Sequence, residues 1–213
     1  MPVVAKEINI AIGLPISWDF LHIPFFESWV SMKKPKHSVI IGSRGRPDDM
    51  RNSIISQVLK SEENFSHILF LDIDHYHHPD TIVKLLSHNL PIVSGLSFRR
   101  SEPYDPIMFK QCGNKFKNIT EWNDGELLEV DTVGAASLLA DVEVFEKMKS
   151  PWFEMGYKFG GGVVSEDFAF CLKAKNLGYK IWCDSSCTND HLGILNVNKS
   201  IWEKNGARTI GSV

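Results

Sequence analysis

Two carboxylates one residue apart close an apolar run in Phe70-Leu71-Asp72-Ile73-Asp74. A strand sends alternate side chains to the same face, so Asp72 and Asp74 converge where the chain stays extended. Paired oxygens of this kind suit a hard divalent cation, Mn2+ or Mg2+, and such an ion would neutralise a diphosphate. Acids also follow strands as turn residues or caps. The apolar strand before this pair, third in a series of alternating strands and helices, favours chemistry over punctuation. Two further acids, Glu166 and Asp167, follow Ser165 at a predicted helix start, where acids are favoured in any case. Asn189-Asp190-His191-Leu192-Gly193 offers one imidazole, which can complete a Mn2+ shell begun by carboxylates.

Other residues compete for attention. Arg44, Arg46 and Arg51 present planar forks of donors to phosphate or sugar, and read equally well as solvated charges. His75, His77 and His78 crowd the acidic pair; a solvated turn explains them better than a second metal site. Cys183, Cys187 and His191 follow one another at intervals of four but match no standard zinc-finger spacing, so the cysteines read as free thiols. Trp122, in an irregular stretch, is a candidate platform for an acceptor, whereas Trp152, Trp182 and Trp202 read as core.

The elements that must position these groups alternate. Residues 8–12, 38–42, 68–71 and 91–94 read as strands, separated by helical patterns at 17–32, 48–60 and from Pro79 onward. Pro24 is expected to kink or split the first of these helices. Strand–helix alternation implies a mostly parallel central sheet in an α/β fold. Ligands bind such sheets beyond the carboxyl ends of the strands, where Asp72 falls. The second half is less regular. Residues 127–133 and 135–139 look extended, Asp141 caps a short helix, and Gly160-Gly161-Gly162 is a hinge or close-approach loop. A helix from Ser165 to about residue 176 ends at Gly178, and residues 179–183 form the last strand. Beyond His191 the pattern is weak.

The chain of 213 residues has 43% hydrophobic and 23% charged residues and a net charge of -3. These values describe a soluble globular protein and argue against a general nucleic-acid binder. No stretch reads as a signal peptide, and no run reaches the ~18 apolar residues of a membrane span. A cytoplasmic setting is the expectation.

The order and spacing of the three acidic and histidine signals resemble the GT-A glycosyltransferases, most closely the small family-two-like enzymes. The resemblance covers roughly residues 8–193 and extends to Arg51-Asn52, Ser94-Gly95-Leu96 and Val133-Gly134-Ala135-Ala136. It implies a single GT-A (Rossmann-like) domain over residues 1–213. About 1–96 would be a nucleotide-sugar half and about 97–193 an acceptor and catalytic half, with a mobile tail over 194–213. The implied activity is metal-dependent transfer of a hexosyl group from a UDP- or GDP-linked sugar to an acceptor hydroxyl, with inversion. By resemblance Asp74 and His191 ligate the metal, and Asp72 meets the metal shell or the donor ribose. Asp167 is the base and Glu166 positions donor or acceptor groups. Ser43, Arg44, Arg51, Gly95 and Arg99 fall on the donor side; Gly134, Ala135 and Trp122 fall on the acceptor side. The segment Gly42-Ser43-Arg44-Gly45-Arg46 departs from the longer acidic nucleotide-reading segment that many relatives carry.

Two other readings share the motif. A haloacid dehalogenase-like phosphatase also ends a strand in Asp-x-Asp and uses the first Asp as nucleophile. Its pair would lie near the N-terminus, and Tyr76 stands here where Thr or Val would be expected. A nucleotide-sugar-binding module without turnover would be free to lose one of Asp72, Asp74, Asp167 or His191, and all four are present.

Overall fold

A strand apolar on both faces needs cover on both faces, and that requirement sets the architecture. The computed structural model describes residues 7–17, 20–42, 44–193 and 197–205. The first part runs β1 (Ile10–Leu14), α1 (Ile23–Ser31), β2 (His37–Ile41), α2 (Pro47–Lys60), β3 (His67–Leu71), β4 (His75–His77), α3 (Thr81–Ser87) and β5 (Ile92–Ser97). The second part runs β6 (Met108–Cys112), β7 (Lys115–Asn118), β8 (Leu127–Val130), β9 (Thr132–Val133), β10 (Ser137–Asp141) and α4 (Val142–Lys147). It continues with β11 (Tyr157–Phe159), β12 (Gly162–Val164), α5 (Glu166–Asn176), β13 (Ile181–His191) and α6 (Lys199–Asn205).

Among the described residues, the main sheet has eight strands in the order β2-β1-β3-β10-β5-β13-β4, with β8 paired to β13. β1, β2 and β3 run parallel, as do β5 and β13. β10, β4 and β8 are antiparallel to their neighbours, so the sheet is mixed rather than mostly parallel. Alternation along β3 divides the core. Ile68 and Phe70 join a cluster with Ile54, Ile55, Phe145 and Phe170 from α2, α4 and α5. Leu69 and Leu71 join Phe25, Ile82 and Leu85 from α1 and α3. Strands from both halves of the sequence thus share one sheet between two helical layers.

Local sequence explains the elements nearest the site. α2 opens with Pro47 in its first turn, carries Asp48 and Asp49 there, and ends with Lys60 in its last turn, matching the helix dipole at both ends. α5 follows the same charge rule with Glu166 and Asp167 in front and Lys173 and Lys175 behind. Gly178, at φ +88°, turns the chain out of α5. Gly160 and Gly161 both have positive φ and form the two-residue turn of the β11–β12 hairpin, which delivers the chain to α5.

Several expectations change. The first helix is α1, over Ile23–Ser31, and Pro24 sits in its first turn instead of kinking it. The last strand is β13, which runs to His191 because a bulge between Asp184 and Thr188 lets pairing with β5 continue. His75 and His77 lie in a buried strand rather than a solvated turn, paired with Asn189 and His191 of β13. The described part of the tail packs down. Val197 is fully buried and exchanges backbone hydrogen bonds with His191, and Trp202 of α6 stacks on Trp122. Residues 194–196 and 206–213 lie outside the described residues.

Gly95 sits inside β5, where a β-carbon would lie 2.5 Å from the Cys187 carbonyl oxygen and 2.6 Å from Ser137 Oγ. Gly95→Ala is expected to destabilise the protein by about 1–3 kcal/mol through overpacking. A urea midpoint that falls at unchanged slope checks this; an unchanged midpoint would mean that β13 shifts freely.

Candidate metal and nucleotide site

The carboxyl ends of β1, β2, β3 and β5 gather at one edge of the sheet, where antiparallel β10 begins. Asp72 leaves β3 at this edge, and its backbone N–H donates to the Ala136 carbonyl at 2.9 Å. Arg51 reaches the same edge from the first turns of α2. Its Nη2 donates to both Asp72 oxygens, at 2.7 and 3.0 Å, and its Nη1 donates to Glu166 Oε1 at 2.7 Å. Only 5% of the Arg51 side chain is exposed. Burial opposes its charge, but the carboxylates of Asp72, Glu166 and Asp167 outweigh burial and raise its pKa. Phe153 lies under the guanidinium, 5.5 Å from its carbon to the ring centroid. Asn52 fixes that ring by accepting from the Trp152 and Phe153 N–H groups and donating to the Phe153 carbonyl.

Asp72, Asp74, Arg51 and Glu166 line one cleft of about 160 Å³ together with Pro15 and Pro47. A larger cavity of about 660 Å³, lined by Glu7, Lys36, Glu63, Glu143 and Glu146, opens at the opposite end of the strands. The smaller one lies at the edge where open α/β sheets bind ligands.

Beside the cleft, Asp74, His75 and His191 each place a possible ligand atom within 4.8 Å of the others. His75 Nδ1 donates to Asp74 Oδ1 at 2.8 Å, and the two imidazoles stack at 4.1 Å. His191 Nδ1 donates to the Phe98 carbonyl at 2.9 Å, which leaves the Nε2 lone pair facing Asp74 Oδ2 at 3.5 Å. Arg100 Nη2 donates to Asp74 Oδ2 and approaches His191 Nε2 at 2.9 Å. Burial acts to raise the Asp74 pKa, but the hydrogen bond from His75 acts to lower it, and the pKa lies well below the usual carboxylate range. The group therefore stays an anion. His75 Nε2 is buried without a hydrogen-bond partner, but with Nδ1 turned to Asp74 it points away from that carboxylate, so Nδ1 is the nitrogen His75 would offer to a cation on Asp74. An anionic oxygen with two imidazole nitrogens, His191 Nε2 and His75 Nδ1 once it gives up its proton, fits a first-row divalent metal. Behind the cluster, His77 is fully buried, with Nε2 donating to the Asp72 carbonyl at 2.9 Å and Nδ1 2.9 Å from the Asn189 side-chain oxygen. It ties the end of β3 to β13.

Asp167 stands one residue beyond Glu166. Its Oδ1 accepts from the Ser165 hydroxyl and, at 2.9 Å, from the Phe168 N–H. Burial and the adjacent Glu166 carboxylate push its pKa up to about 6, against those hydrogen bonds and Arg51. It is thus ionised at pH 7 yet more basic than a helix N-terminus alone implies.

The remaining sequence candidates fall elsewhere. Gly95, Gly134 and Ala135 are buried; Gly95 serves the packing of β5 on β13, and Gly134 donates to the Ile107 carbonyl at 3.1 Å. Burial leaves none of the three a surface for a ligand. Trp122 is stacked on Trp202 with centroids 4.8 Å apart. Arg44 and Arg99 are exposed, and Ser43 lies outside the described residues. Cys183 and Cys187 are fully buried, and burial raises both thiols, Cys187 to about 11. Sequence reasoning missed His75 as a member of the Asp74 cluster, and it named Arg99 where Arg100 makes the contacts. The signal for His75 was its adjacency to Asp74. The choice between Arg99 and Arg100 depends on where each side chain points, which spacing alone does not fix.

No family model and no curated protein matches the chain. Its fold is similar to that of A197 from STIV, with a TM-score of 0.63 and 15% sequence identity over 87% of this chain and 86% of that one. It is also similar to S. aureus TarS 1–349 in complex with UDP-GlcNAc, with a TM-score of 0.50 and 12% identity over 85% of this chain and 57% of that one. GalNAc-T7 with UDP, GalNAc and Mn2+ gives a TM-score of 0.53 and 11% identity over 87% of this chain and 44% of that one. The chain thus has a GT-A-like fold, shared with the glycosyltransferases TarS and GalNAc-T7. Among the described residues, no helix is long and apolar enough to cross a membrane.

The raised Asp167 pKa has a consequence for stability. An unfolded Asp titrates near roughly 4, so the folded protein binds this proton more tightly. Stability contributed by Asp167 is present below that value and is lost as pH rises through about 6. Asp167→Asn removes the loss. The variant is expected to exceed the parent in urea midpoint above pH 6 and to match it near pH 4. A variant that is no more stable at pH 7 than at pH 4, relative to the parent, refutes the shift.

Proposed function

We propose that this protein transfers a sugar from a nucleoside-diphosphate sugar to an acceptor hydroxyl, with inversion at the anomeric carbon. The observation that carries the proposal is the meeting of Asp74, His75 and His191 beside a cleft lined by Asp72, Arg51 and Glu166. The complexes of TarS with UDP-GlcNAc and of GalNAc-T7 with UDP and Mn2+ support it, because both proteins share the fold. Asp74, His75 and His191 would hold the metal, and two nitrogens among the three ligands favour Mn2+ over Mg2+. Bound there, the ion supplies positive charge to the diphosphate as the sugar bond breaks.

The chain's own groups do the rest. Arg51 holds the Asp72 and Glu166 carboxylates at fixed positions on the cleft wall, so that they orient donor and acceptor hydroxyls without reorganising. Asp167 accepts the acceptor's proton as the hydroxyl attacks. With a pKa of about 6 it is ionised at neutral pH and still basic enough to take that proton late in the step. The phosphatase reading needs Asp72 as a free nucleophile, yet both of its oxygens accept from Arg51.

Thermal unfolding with UDP and with GDP, each with and without Mn2+, tests the proposal. A midpoint rise that needs nucleotide and metal together is expected, and Asp74→Ala should lose it. Asp167→Asn should keep the rise and lose about 10²–10⁴ in transfer rate, the usual worth of a general base. No rise with either nucleotide would sink the donor-site reading, and unchanged turnover in Asp167→Asn would sink the base.

A further inference from the structure

Arg100 follows β5 on a segment whose backbone is pinned. Phe98 bridges to Pro106, the Arg99 N–H donates to the Asp105 carbonyl at 2.9 Å, and the Tyr104 N–H donates to Ser101 at 2.9 Å. The side chain extends from this fixed base with 47% of its surface exposed. Its Nη2 donates to Asp74 Oδ2, and both Nη2 and Nε approach His191 Nε2, at 2.9 and 3.2 Å. These are the atoms that would ligate a metal.

A neutral imidazole has one lone pair on Nε2 once Nδ1 carries the proton, and the Phe98 carbonyl fixes the proton on Nδ1. That lone pair can serve the guanidinium or a metal ion, not both. Two cations on one carboxylate oxygen would also repel at short range. The two occupants therefore exclude each other. A displaced Arg100 has little distance to travel, because a diphosphate bound to a metal on Asp74 would sit beside the same segment. A guanidinium fork matches phosphate oxygens.

We propose that Arg100 is a resident counter-cation of the Asp74–His191 pair, that it yields these atoms to the metal, and that it then binds the donor's diphosphate. This rests on reading the Asp74 cluster as a metal site. In the resting protein the arginine keeps Asp74 paired and His191 in its ligating tautomer. The exchange makes metal and nucleotide bind cooperatively, since each rewards the displacement that the other needs, and such coupling is reciprocal.

The test is a Mn2+ titration followed by the EPR signal of the free ion, on the parent, Arg100→Ala, Arg99→Ala and Asp74→Ala. Without nucleotide, Arg100→Ala should bind Mn2+ about tenfold more tightly, the worth of a charge-assisted contact on a partly exposed group. Arg99→Ala removes an equal charge one residue away and should leave the affinity near that of the parent. With UDP or GDP added, the tightening of Mn2+ binding should be smaller in Arg100→Ala than in the parent. The rise in unfolding midpoint on adding Mn2+ alone should be larger in Arg100→Ala, a second readout of the same competition. Equal affinity in the parent and Arg100→Ala, or an equal gain in Arg99→Ala, would overturn the shared-ligand proposal and leave the metal site standing. An undiminished nucleotide effect in Arg100→Ala would overturn the phosphate role. Mn2+ binding that survives Asp74→Ala would instead overturn the metal site itself.

Discussion

One buried positive charge organises the edge of the sheet where the candidate site lies. Arg51 leaves water almost entirely, a cost that only close carboxylates repay, and it finds two of them on elements far apart in sequence. Asp72 ends a strand of the central sheet and Glu166 begins a helix of the second half, so the arginine fixes α2, β3 and α5 against one another. The Phe153 ring beneath it and the Asn52 contacts that hold Phe153 narrow the guanidinium's freedom further. A site built this way is pre-shaped, because its acids cannot relax without leaving a bare charge in the interior.

The sheet topology supplies the second constraint. Antiparallel β10 places its start at the edge where the parallel strands end, and the Ala136 carbonyl receives the Asp72 N–H there. The bulge in β13 lets a strand that begins in register with β5 go on to meet β4. His191 thereby comes to stand opposite His75. The buried His77–Asn189 contact and the Val197 bridge hold this pairing from either side.

Much of the arrangement was legible in the sequence. Continuous apolar runs gave β1, β3 and β5, and helical spacing with Pro47 gave α2, because period and punctuation are local properties. The Asp-x-Asp at a strand end, the acids opening α5 and the late histidine all fall at one edge of the sheet. The rest was set by partners that a linear pattern does not encode. β4 is three residues long and exists only because β13 pairs with it, so its histidines read as a turn. The antiparallel sense of β10 is likewise invisible in its own residues. Gly95 and Gly134 looked like ligand contacts, yet their small size serves close packing, of Gly95 on the Cys187 carbonyl and Ser137 hydroxyl and of Gly134 on the Ile107 side chain. The Asp167 pKa depends on burial beside Glu166, which a helix-start argument does not see.

The pairing of β4 with the end of β13 also bears on how the protein is made. Asp74 and His75 leave the ribosome long before His191, and the intervening segment contributes β5, β10 and much of the core. A nascent chain can therefore assemble its first strands and display the acidic edge while the partner imidazole is still unsynthesised. The Asp74–His75–His191 cluster is therefore closed only after β13 is made, downstream of every other strand of the sheet.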